Sequence, residues 1–279
     1  MRRILAITID AYLRFSEDDG WPIAGHIALS TLTAMFPFLI FLTALAGVFG
    51  SKDLADQAAA ILLETWPPQV AAPIALEIHN VLTSSGGSLV TAGAVLGLYF
   101  SSNGIEALRV GLNRAYRVKD PRPWWLLRLE SIAYVLVGAL ALLAFTFFVV
   151  LGPLIWTTLL AYVPGLAPLE QAVTLLRYAI TIMFLTGALI IAHKWLPGTR
   201  MSFGQIAPGV VLTLVLSLAF GVAFGSYLSA YARNYVSTYA GLASVMIALV
   251  FLDILAAIFV FGGELNAAIC RLTPTHEEA

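Results

Sequence analysis

The sequence predicts an all-α integral membrane protein with six transmembrane helices. Of its 279 residues, 60% are hydrophobic and only 11% are charged, and the mean hydropathy is +0.89. A soluble domain carries about 25% charged residues, and a core of this length could not bury the apolar surplus. The apolar runs are long and continuous, whereas strands of a membrane barrel show about ten alternating residues each. Helices are therefore the predicted spanning elements.

The elements follow one another without a linker, so we predict one polytopic membrane domain over residues 1–279. Residues 1–20 are predicted to form a cytoplasmic interfacial helix, because Ile4, Leu5, Ala11, Tyr12 and Phe15 share its apolar side. A six-helix bundle follows over 25–270, with about 20 apolar residues needed for each span. The predicted spans are 25–49, 88–108, 131–156, 173–192, 206–230 and 241–265. Residues 271–279 are a short cytoplasmic tail.

The first outer loop is also predicted to be helical. Residues 53–64 and 70–82 show helical apolar spacing and are separated by Pro67 and Pro68. We expect two short amphipathic helices that lie on the outer membrane surface.

The positions of lysine and arginine predict the orientation. Of the 15 basic residues, only Lys52, Arg177 and Arg233 fall in one alternating set of segments, which leaves 12 in the other. Because the basic segments of membrane proteins face the cytoplasm, both termini are predicted to be cytoplasmic. The inner loop 109–128 is especially basic and is expected to lie against anionic lipid. A multi-pass protein of a bacterial inner membrane is the predicted location.

Three positions are candidates for helix breaks. Pro37 lies in the middle of the first span, Gly104 ends a Ser-Ser-Asn-Gly run in the second, and Pro153 follows Gly152 in the third. Proline removes a backbone hydrogen bond and kinks a helix. Unwound backbone at membrane depth is tolerated where it is buried or lines water. Such breaks would suggest a pathway, although kinks are also common in inert bundles.

Two carboxylates and an amide in the last span are candidates for a proton or substrate pathway. Asp253 lies near the middle of the span, where an ionised Asp costs about 2.5–3.5 kcal/mol. Glu264 follows 11 residues later, which places it on the same helix face about 16 Å away, with Asn266 beside it. The alternatives are a neutral Asp253 that is hydrogen-bonded to a neighbouring helix and a polar cluster around Glu264 that fixes packing.

A second candidate group lies at the inner end of the second span. Glu106, Arg109 and Asn113 are spaced three and four residues apart, so they share one helix face. Arginine offers a bidentate fork to a phosphate or carboxylate, and the group is a candidate headgroup-binding site. The alternative is a surface ion pair that reflects membrane topology alone.

No motif for catalysis, a metal or a cofactor is found. The sequence contains no G-x-x-x-x-G-K-[ST] phosphate loop, no H-E-x-x-H and no G-x-S-x-G, and the four histidines are scattered. The net charge of −1 and the single cysteine give no reason to expect a nucleic-acid partner or a disulfide framework. We therefore predict a protein that is not an enzyme.

An ordered set of short motifs resembles the YihY/virulence factor BrkB family of bacterial inner-membrane proteins. The motifs are Ala28-Leu-Ser-Thr-Leu-Thr-Ala-Met-Phe-Pro37, Gly111-Leu-Asn-Arg-Ala-Tyr116, Trp195-Leu-Pro197, Ala207-Pro-Gly209, Tyr239-Ala-Gly241 and Gly262-Gly-Glu-Leu-Asn-Ala267. The resemblance implies an all-helical fold with six spans and an association of some relatives with lipid or lipopolysaccharide handling. An older ribonuclease BN label for the family is a misassignment. Asp253 departs from the usual pattern of the family.

Three functions are weighed from these observations. The leading hypothesis is a transporter or flippase-like protein for an amphipathic anionic substrate, such as a lipid or lipid-linked glycan. The alternative is a structural envelope protein that does not transport but binds a partner, either a second copy of itself or another envelope protein. The third is a membrane-embedded enzyme, which the missing motifs disfavour.

Overall fold

The computed structural model describes residues 2–48, 87–162, 164–239 and 243–272. These residues contain seven α-helices and one 3₁₀ segment. The helices are α1 (Arg2–Glu17), α2 (Gly20–Val48), α3 (Gly87–Ala115), α4 (Trp124–Tyr162), α5 (Glu170–Trp195), α6 (Phe203–Tyr239) and α7 (Ala243–Leu272), and the 3₁₀ segment is Pro164–Leu169. No strand occurs among the described residues, so the predicted all-helical class is confirmed. The two predicted outer-surface helices and the residues from 273 onwards lie outside the described part.

Five of these helices are long and apolar enough to cross a membrane. The qualifying stretches are Gly20–Leu39, Trp124–Thr146, Glu170–Trp195, Phe203–Ser229 and Val245–Leu272. The described part of α3 is not among them, because this helix carries the Ser101–Gly104 run and the charged side chains of Glu106 and Arg109. A sixth span and the cytoplasmic placement of both termini therefore stay predictions.

The helix break expected at Gly104 is not present, since α3 is continuous from residue 87 to 115. The hydroxyls of Ser101 and Ser102 donate to carbonyl oxygens of their own helix, those of Gly97 and Tyr99, and so need no unwound backbone. Gly104 faces α2 instead: a Cβ atom there would make an ordinary contact with the Cβ of Ala34 at 3.5 Å. The Ser101–Gly104 run is therefore part of a continuous helix that faces α2.

The two prolines also lie inside helices as the structure assigns them. Pro37 is within α2 and Pro153 is within α4. Both helices continue past these positions, so neither proline ends its span. A kink at either proline stays a prediction.

Two buried apolar clusters hold the bundle together, and α7 contributes to both. The first joins α2, α4, α6 and α7 through side chains that include Leu42, Leu143, Leu228 and Phe251. The second joins α1, α2, α3 and α7 through Phe15, Ile27, Leu112 and Val260. Helix α7 is thus the element that the two clusters share.

Helix α1 is amphipathic, as predicted, but it has two apolar faces. Ala11 and Phe15 are buried, and the Phe15 ring packs edge-on against Phe261 of α7 at 6.0 Å. The carboxylate of Asp10 pairs with Arg271 of α7 at 3.0 Å. A second apolar face is exposed and consists of Leu5, Ile9, Tyr12 and Leu13. The residues predicted to form one apolar side therefore divide between a packed face and a free one.

Candidate functional site

Polar groups from four segments meet where α3 and α5 end and α6 begins. The hydroxyl of Tyr116 lies 3.1 Å from Nδ1 of His193 and accepts a hydrogen bond from Nδ2 of Asn266 at 3.3 Å. The Oδ1 atom of Asn266 accepts a hydrogen bond from the backbone N–H of Gly209 at 2.7 Å. We call Tyr116, His193, Gly209 and Asn266 the polar cluster. It connects α7 to α3, α5 and α6 in the apolar interior.

The Tyr116 hydroxyl is the centre of the polar cluster. It accepts a hydrogen bond from Asn266 and lies within hydrogen-bond distance of Nδ1 of His193. Burial raises the pKa of Tyr116 above its ordinary value, so the hydroxyl keeps its proton. Nε2 of His193 is buried without a hydrogen-bond partner among the described residues, and the centroids of the His193 and Phe259 rings are 4.9 Å apart.

Two glycines allow α6 and α7 to approach closely at the polar cluster. A Cβ atom on Gly209 would overlap the carbonyl oxygen of Gly262, and one on Gly262 would overlap Oγ1 of Thr213. Glycine is the residue that permits such backbone contact between membrane helices. The Ala207–Gly209 and Gly262–Ala267 motifs are therefore in direct contact.

Glu264 is buried in the same part of α7, with 1% of its surface exposed. Its Oε2 atom has no hydrogen-bond partner in the described part of the chain. The neighbouring Gly263 faces Leu112 and Ala115 of α3. An unsatisfied buried carboxylate is costly to the fold, so Glu264 is a candidate for a functional role.

Asp253 lies apart from this group. The side chain is half-buried, and its carboxylate faces Gly25 of α2. A Cβ atom added to Gly25 would lie 3.6 Å from Oδ1 of Asp253. No hydrogen bond to a neighbouring serine or threonine is present among the described residues. Of the three pathway candidates, the structure places Asn266 in the polar cluster, leaves Glu264 buried on α7 two residues away, and places Asp253 against α2.

A cavity of about 560 Å³ lies at the end of α3 and the start of α4. We call it the arginine cavity. It is lined by Tyr99, Asn103, Glu106, Arg109, Val110, Asn113, Asp120, Trp124, Leu127 and Arg128. The structure therefore brings the three predicted headgroup-binding residues, Glu106, Arg109 and Asn113, to one cavity.

Arg109 has a free hydrogen-bonding edge. The side chain is only 3% exposed, and Nη1 donates to the carbonyl oxygen of Leu127 at 3.1 Å. Nε and Nη2 are buried and have no hydrogen-bond partner among the described residues, and the carboxylate of Glu130 lies 3.8 Å from Nη2. Nε and Nη2 together form the fork that binds two oxygens of a phosphate or carboxylate.

The ion pairs around the arginine cavity differ from those expected. Glu106 does not pair with Arg109 on its own helix, because Arg128 of α4 reaches it at 2.7 Å. Arg128 also donates to Asn103 at 2.8 Å and stacks on the Tyr99 ring at 3.9 Å. Arg128 is thus paired with a carboxylate of α3, and the expected contact of the basic loop with lipid stays a prediction.

Asp120 and Arg122 continue this network. Nε of Arg122 donates to Asp120 at 2.7 Å, and Nη1 donates to Glu130, also at 2.7 Å. The hydrogen bond from Arg122 lowers the pKa of Asp120 to about 2, although burial acts in the opposite direction. Asn113 donates to Asp120 at 3.3 Å and accepts from the backbone N–H of Gly198 at 2.7 Å. Its amide holds two loops together, so we assign Asn113 a positioning role.

Several residues of these two sites were not identified from the sequence. Tyr116, His193, Asp120, Arg128 and Glu130 come to the sites from other segments. A signal existed for Tyr116, Gly209 and Asn266, because each lies in one of the short family-like motifs. The structure shows that these separate motifs form one contact region.

The chain is similar to known bacterial proteins over most of its length. A model of the family described as virulence factor BrkB matches residues 11–279. The chain is 24% identical over 262 residues to the Bacillus subtilis protein YfkH, whose name describes it as ribonuclease-like, and the match covers 93% of this chain and 94% of YfkH. It is 26% identical over 201 residues to a UPF0761 membrane protein of Neisseria meningitidis serogroup B, covering 72% of this chain and 48% of that protein. The chain thus spans about half the length of the Neisseria relative. No solved structure matches it.

Proposed function

This chain belongs to the virulence factor BrkB family, and we propose that it is an inner-membrane protein that binds a phosphate-bearing lipid or lipid-linked glycan and moves it between leaflets. Its five apolar helices make it a membrane protein. The proposed binding site is the arginine cavity, where the headgroup would lie. The acyl chains would lie along the apolar surface of the bundle.

The free fork of Arg109 is the observation that carries this proposal. Nε and Nη2 are buried without a hydrogen bond, and the residue lines a cavity large enough for a small ligand. A buried guanidinium edge without a hydrogen bond destabilises the protein until an oxyanion accepts from it, and the carboxylate of Glu130 at 3.8 Å is too distant to do so. A phosphate at the membrane surface is the group of this kind that every phospholipid supplies.

The position of the arginine cavity also favours a lipid. It lies at the end of α3 and the start of α4, in the segment whose lysines and arginines predict a cytoplasmic location. Trp124, which lines it, is an exposed aromatic side chain of the type found at a membrane interface, and Val110 adds exposed apolar surface beside it. A headgroup bound there would keep its acyl chains within the membrane.

Glu264 supports transport in addition to binding. A buried carboxylate with an unpaired oxygen in a spanning helix is the arrangement that carries a proton or a substrate charge through a membrane. In this proposal Glu264 supplies the coupling step and Arg109 supplies recognition. Asp253 would be a second coupling group, facing α2.

Lipid binding is tested by native mass spectrometry of the protein in a mild detergent, followed by analysis of the co-purified lipid. We expect a phosphate-bearing lipid enriched over its share of the membrane and lost in Arg109→Ala. The matched control is Arg114→Ala, because this side chain is exposed and pairs with Asp19 outside the cavity. Bulk lipid in native proportion, unchanged by Arg109→Ala, would overturn the proposal.

Transport is tested separately in proteoliposomes that contain only this protein. A headgroup-labelled lipid should become accessible on both faces with the wild type, and more slowly with Glu264→Gln. Full transport by Asp253→Asn across the pH range would remove Asp253 from the coupling step. The absence of any flux above that of empty liposomes would leave lipid binding without transport.

A partner-binding role without transport is the second candidate, and one face of α6 favours it. Gly221 and Gly225 are four residues apart and have open space where a side chain would lie. Such a small-x-x-x-small pair permits close contact with another membrane helix. This role predicts a second protein, or a second copy of the chain, retained on purification and no flux in liposomes.

A further inference from the structure

We propose that the arginine cavity selects a zwitterionic headgroup, in which a phosphodiester is followed by an ammonium group, over a purely anionic one. The inference rests on the proposed function and names the substrate class of that site. The sequence led us to expect an anionic substrate. The charges around the cavity are paired, and for this reason we expect a ligand that carries both a negative and a positive charge.

The charges that line the arginine cavity sum to zero. Arg109 and Arg128 are its cations, and Glu106 and Asp120 are its carboxylates. The charged groups next to the lining are Arg122 and Glu130, whose charges also cancel. Arg122 pairs with Glu130 and with Asp120 of the lining. A site for an anion alone is expected to carry excess positive charge, since the Coulomb attraction must compensate for the lost hydration of the ligand. A neutral site of fixed opposite charges matches a ligand that carries both signs.

The phosphate end of the ligand is assigned to Arg109. Arg128 uses Nη1 for both Glu106 and Asn103, and its guanidinium stacks on the Tyr99 ring. Arg122 donates to Asp120, to Glu130 and to the carbonyl oxygen of Leu196. Arg109 differs from both because its Nε and Nη2 are buried without a hydrogen bond among the described residues, and the carboxylate of Glu130 lies 3.8 Å from Nη2. One bidentate fork matches the two unesterified oxygens of one phosphodiester.

The ammonium end has a carboxylate and an aromatic ring available to it. Glu106 uses Oε2 for Arg128, and its other oxygen has no partner within the described segments. The Glu106 side chain is 36% exposed, so a ligand can reach it. Trp124 lines the same cavity and is 79% exposed, which leaves its indole face open for a cation–π contact with an ammonium group. The cavity thus offers an oxyanion fork, a carboxylate oxygen and an aromatic face.

The test compares three phospholipids with the same acyl chains: phosphatidylethanolamine, phosphatidylcholine and phosphatidylglycerol. Each is added to the delipidated protein in detergent, and binding is measured by native mass spectrometry in pairwise competition. We expect phosphatidylethanolamine to be preferred over phosphatidylglycerol by roughly fivefold to tenfold, the effect of one added charge-assisted contact. Phosphatidylcholine should lie between them, because its quaternary ammonium can stack on Trp124 but cannot donate to Glu106.

Two variants test the ammonium end independently. Glu106→Gln should shift the preference towards phosphatidylglycerol, since it removes the carboxylate and leaves Arg128 less compensated. Trp124→Leu should weaken binding of both zwitterionic lipids without affecting any ion pair. Glu170→Gln is the matched control, because this exposed residue begins α5 away from the cavity. Thermal unfolding of each variant shows that the comparison is made on folded protein. Glu106→Asp, which keeps a carboxylate, should retain part of the preference for phosphatidylethanolamine that Glu106→Gln loses.

The outcomes separate this inference from the proposed function. A preference for phosphatidylglycerol that still depends on Arg109 would overturn zwitterion selection and leave lipid binding in place. Binding of all three lipids that is insensitive to Arg109→Ala would overturn the proposed site itself. Soluble glycerophosphoethanolamine is added as a competitor: displacement of the lipid only at large excess supports a membrane ligand, and tighter binding than the lipid would assign the site to a free phosphate ester.

Discussion

The hydroxyl of Tyr116 lies 3.1 Å from Nδ1 of His193, although 77 positions separate the two residues in the chain. With Asn266 on the other side of the hydroxyl, this contact ties the end of α3 to α5 and α7. We predict that Tyr116→Phe destabilises the protein by about 1–3 kcal/mol, because it leaves buried polar atoms of His193 and Asn266 without a partner. Thermal or denaturant unfolding in detergent measures the loss.

Tyr178→Phe is the control for this prediction, since Tyr178 is 65% exposed on α5. It removes the same atom and should leave stability unchanged. Equal stability of Tyr116→Phe and the wild type would show that the contact contributes nothing to the folded state.

The glycines between α6 and α7 give a second prediction. Gly209→Ala and Gly262→Ala should each separate the two helices and lower the unfolding temperature, because the added Cβ would overlap the opposite helix. Gly221→Ala and Gly225→Ala in the same α6 helix are matched controls, since open space surrounds both positions. These controls should be neutral or stabilising by up to about 1 kcal/mol, the helix propensity of alanine over glycine. If all four variants lose stability equally, close packing of α6 on α7 does not explain the effect of Gly209→Ala and Gly262→Ala.

Glu264→Gln should separate function from stability. Because Oε2 of Glu264 is buried without a partner, removing the charge should leave the unfolding temperature equal or higher. Lipid transport in proteoliposomes should fall at the same time. A purely structural glutamate would give the opposite result, a lower unfolding temperature with transport in proportion to the folded fraction.

The pairing of Asp120 with Arg122 predicts a dependence of stability on pH. The pKa of Asp120 is lowered to about 2 from its ordinary 3.8, so the carboxylate stabilises the folded state above about pH 4. This contribution, about 2 kcal/mol, is lost as the pH falls from 4 to 2. The wild type should therefore be more stable than Asp120→Asn at pH 7, and the difference should narrow over that interval. If the difference in stability between the wild type and Asp120→Asn stays constant from pH 7 to pH 2, the lowered pKa of Asp120 is contradicted.

The helical class was predictable from the sequence because long apolar runs admit no other spanning structure. The grouping of Glu106, Arg109 and Asn113 was equally predictable, since residues three and four apart share a helix face. The partners of these residues were not. Arg128 comes from α4, and nothing in the local spacing indicates which of several arginines would reach Glu106.

The expected break at Gly104 shows a different limit of sequence reasoning. Serine, asparagine and glycine disfavour an isolated helix, and their presence together suggests an interruption. In the folded chain the serine hydroxyls bond to their own helix, and Gly104 faces α2 at Ala34. Tertiary contacts determine the outcome, and the sequence of one helix does not contain them.

The contacts of α1 with α7 set an order of assembly during synthesis. Asp10 and Arg271 are 261 positions apart in the chain, yet they form an ion pair, and Phe15 packs on Phe261 nearby. Asn266, which closes the polar cluster, also belongs to α7. Because the ribosome makes α1 before α7, a nascent chain holds α1 without this partner until α7 is inserted. A chain truncated before α7 would leave the packed face of α1 uncovered.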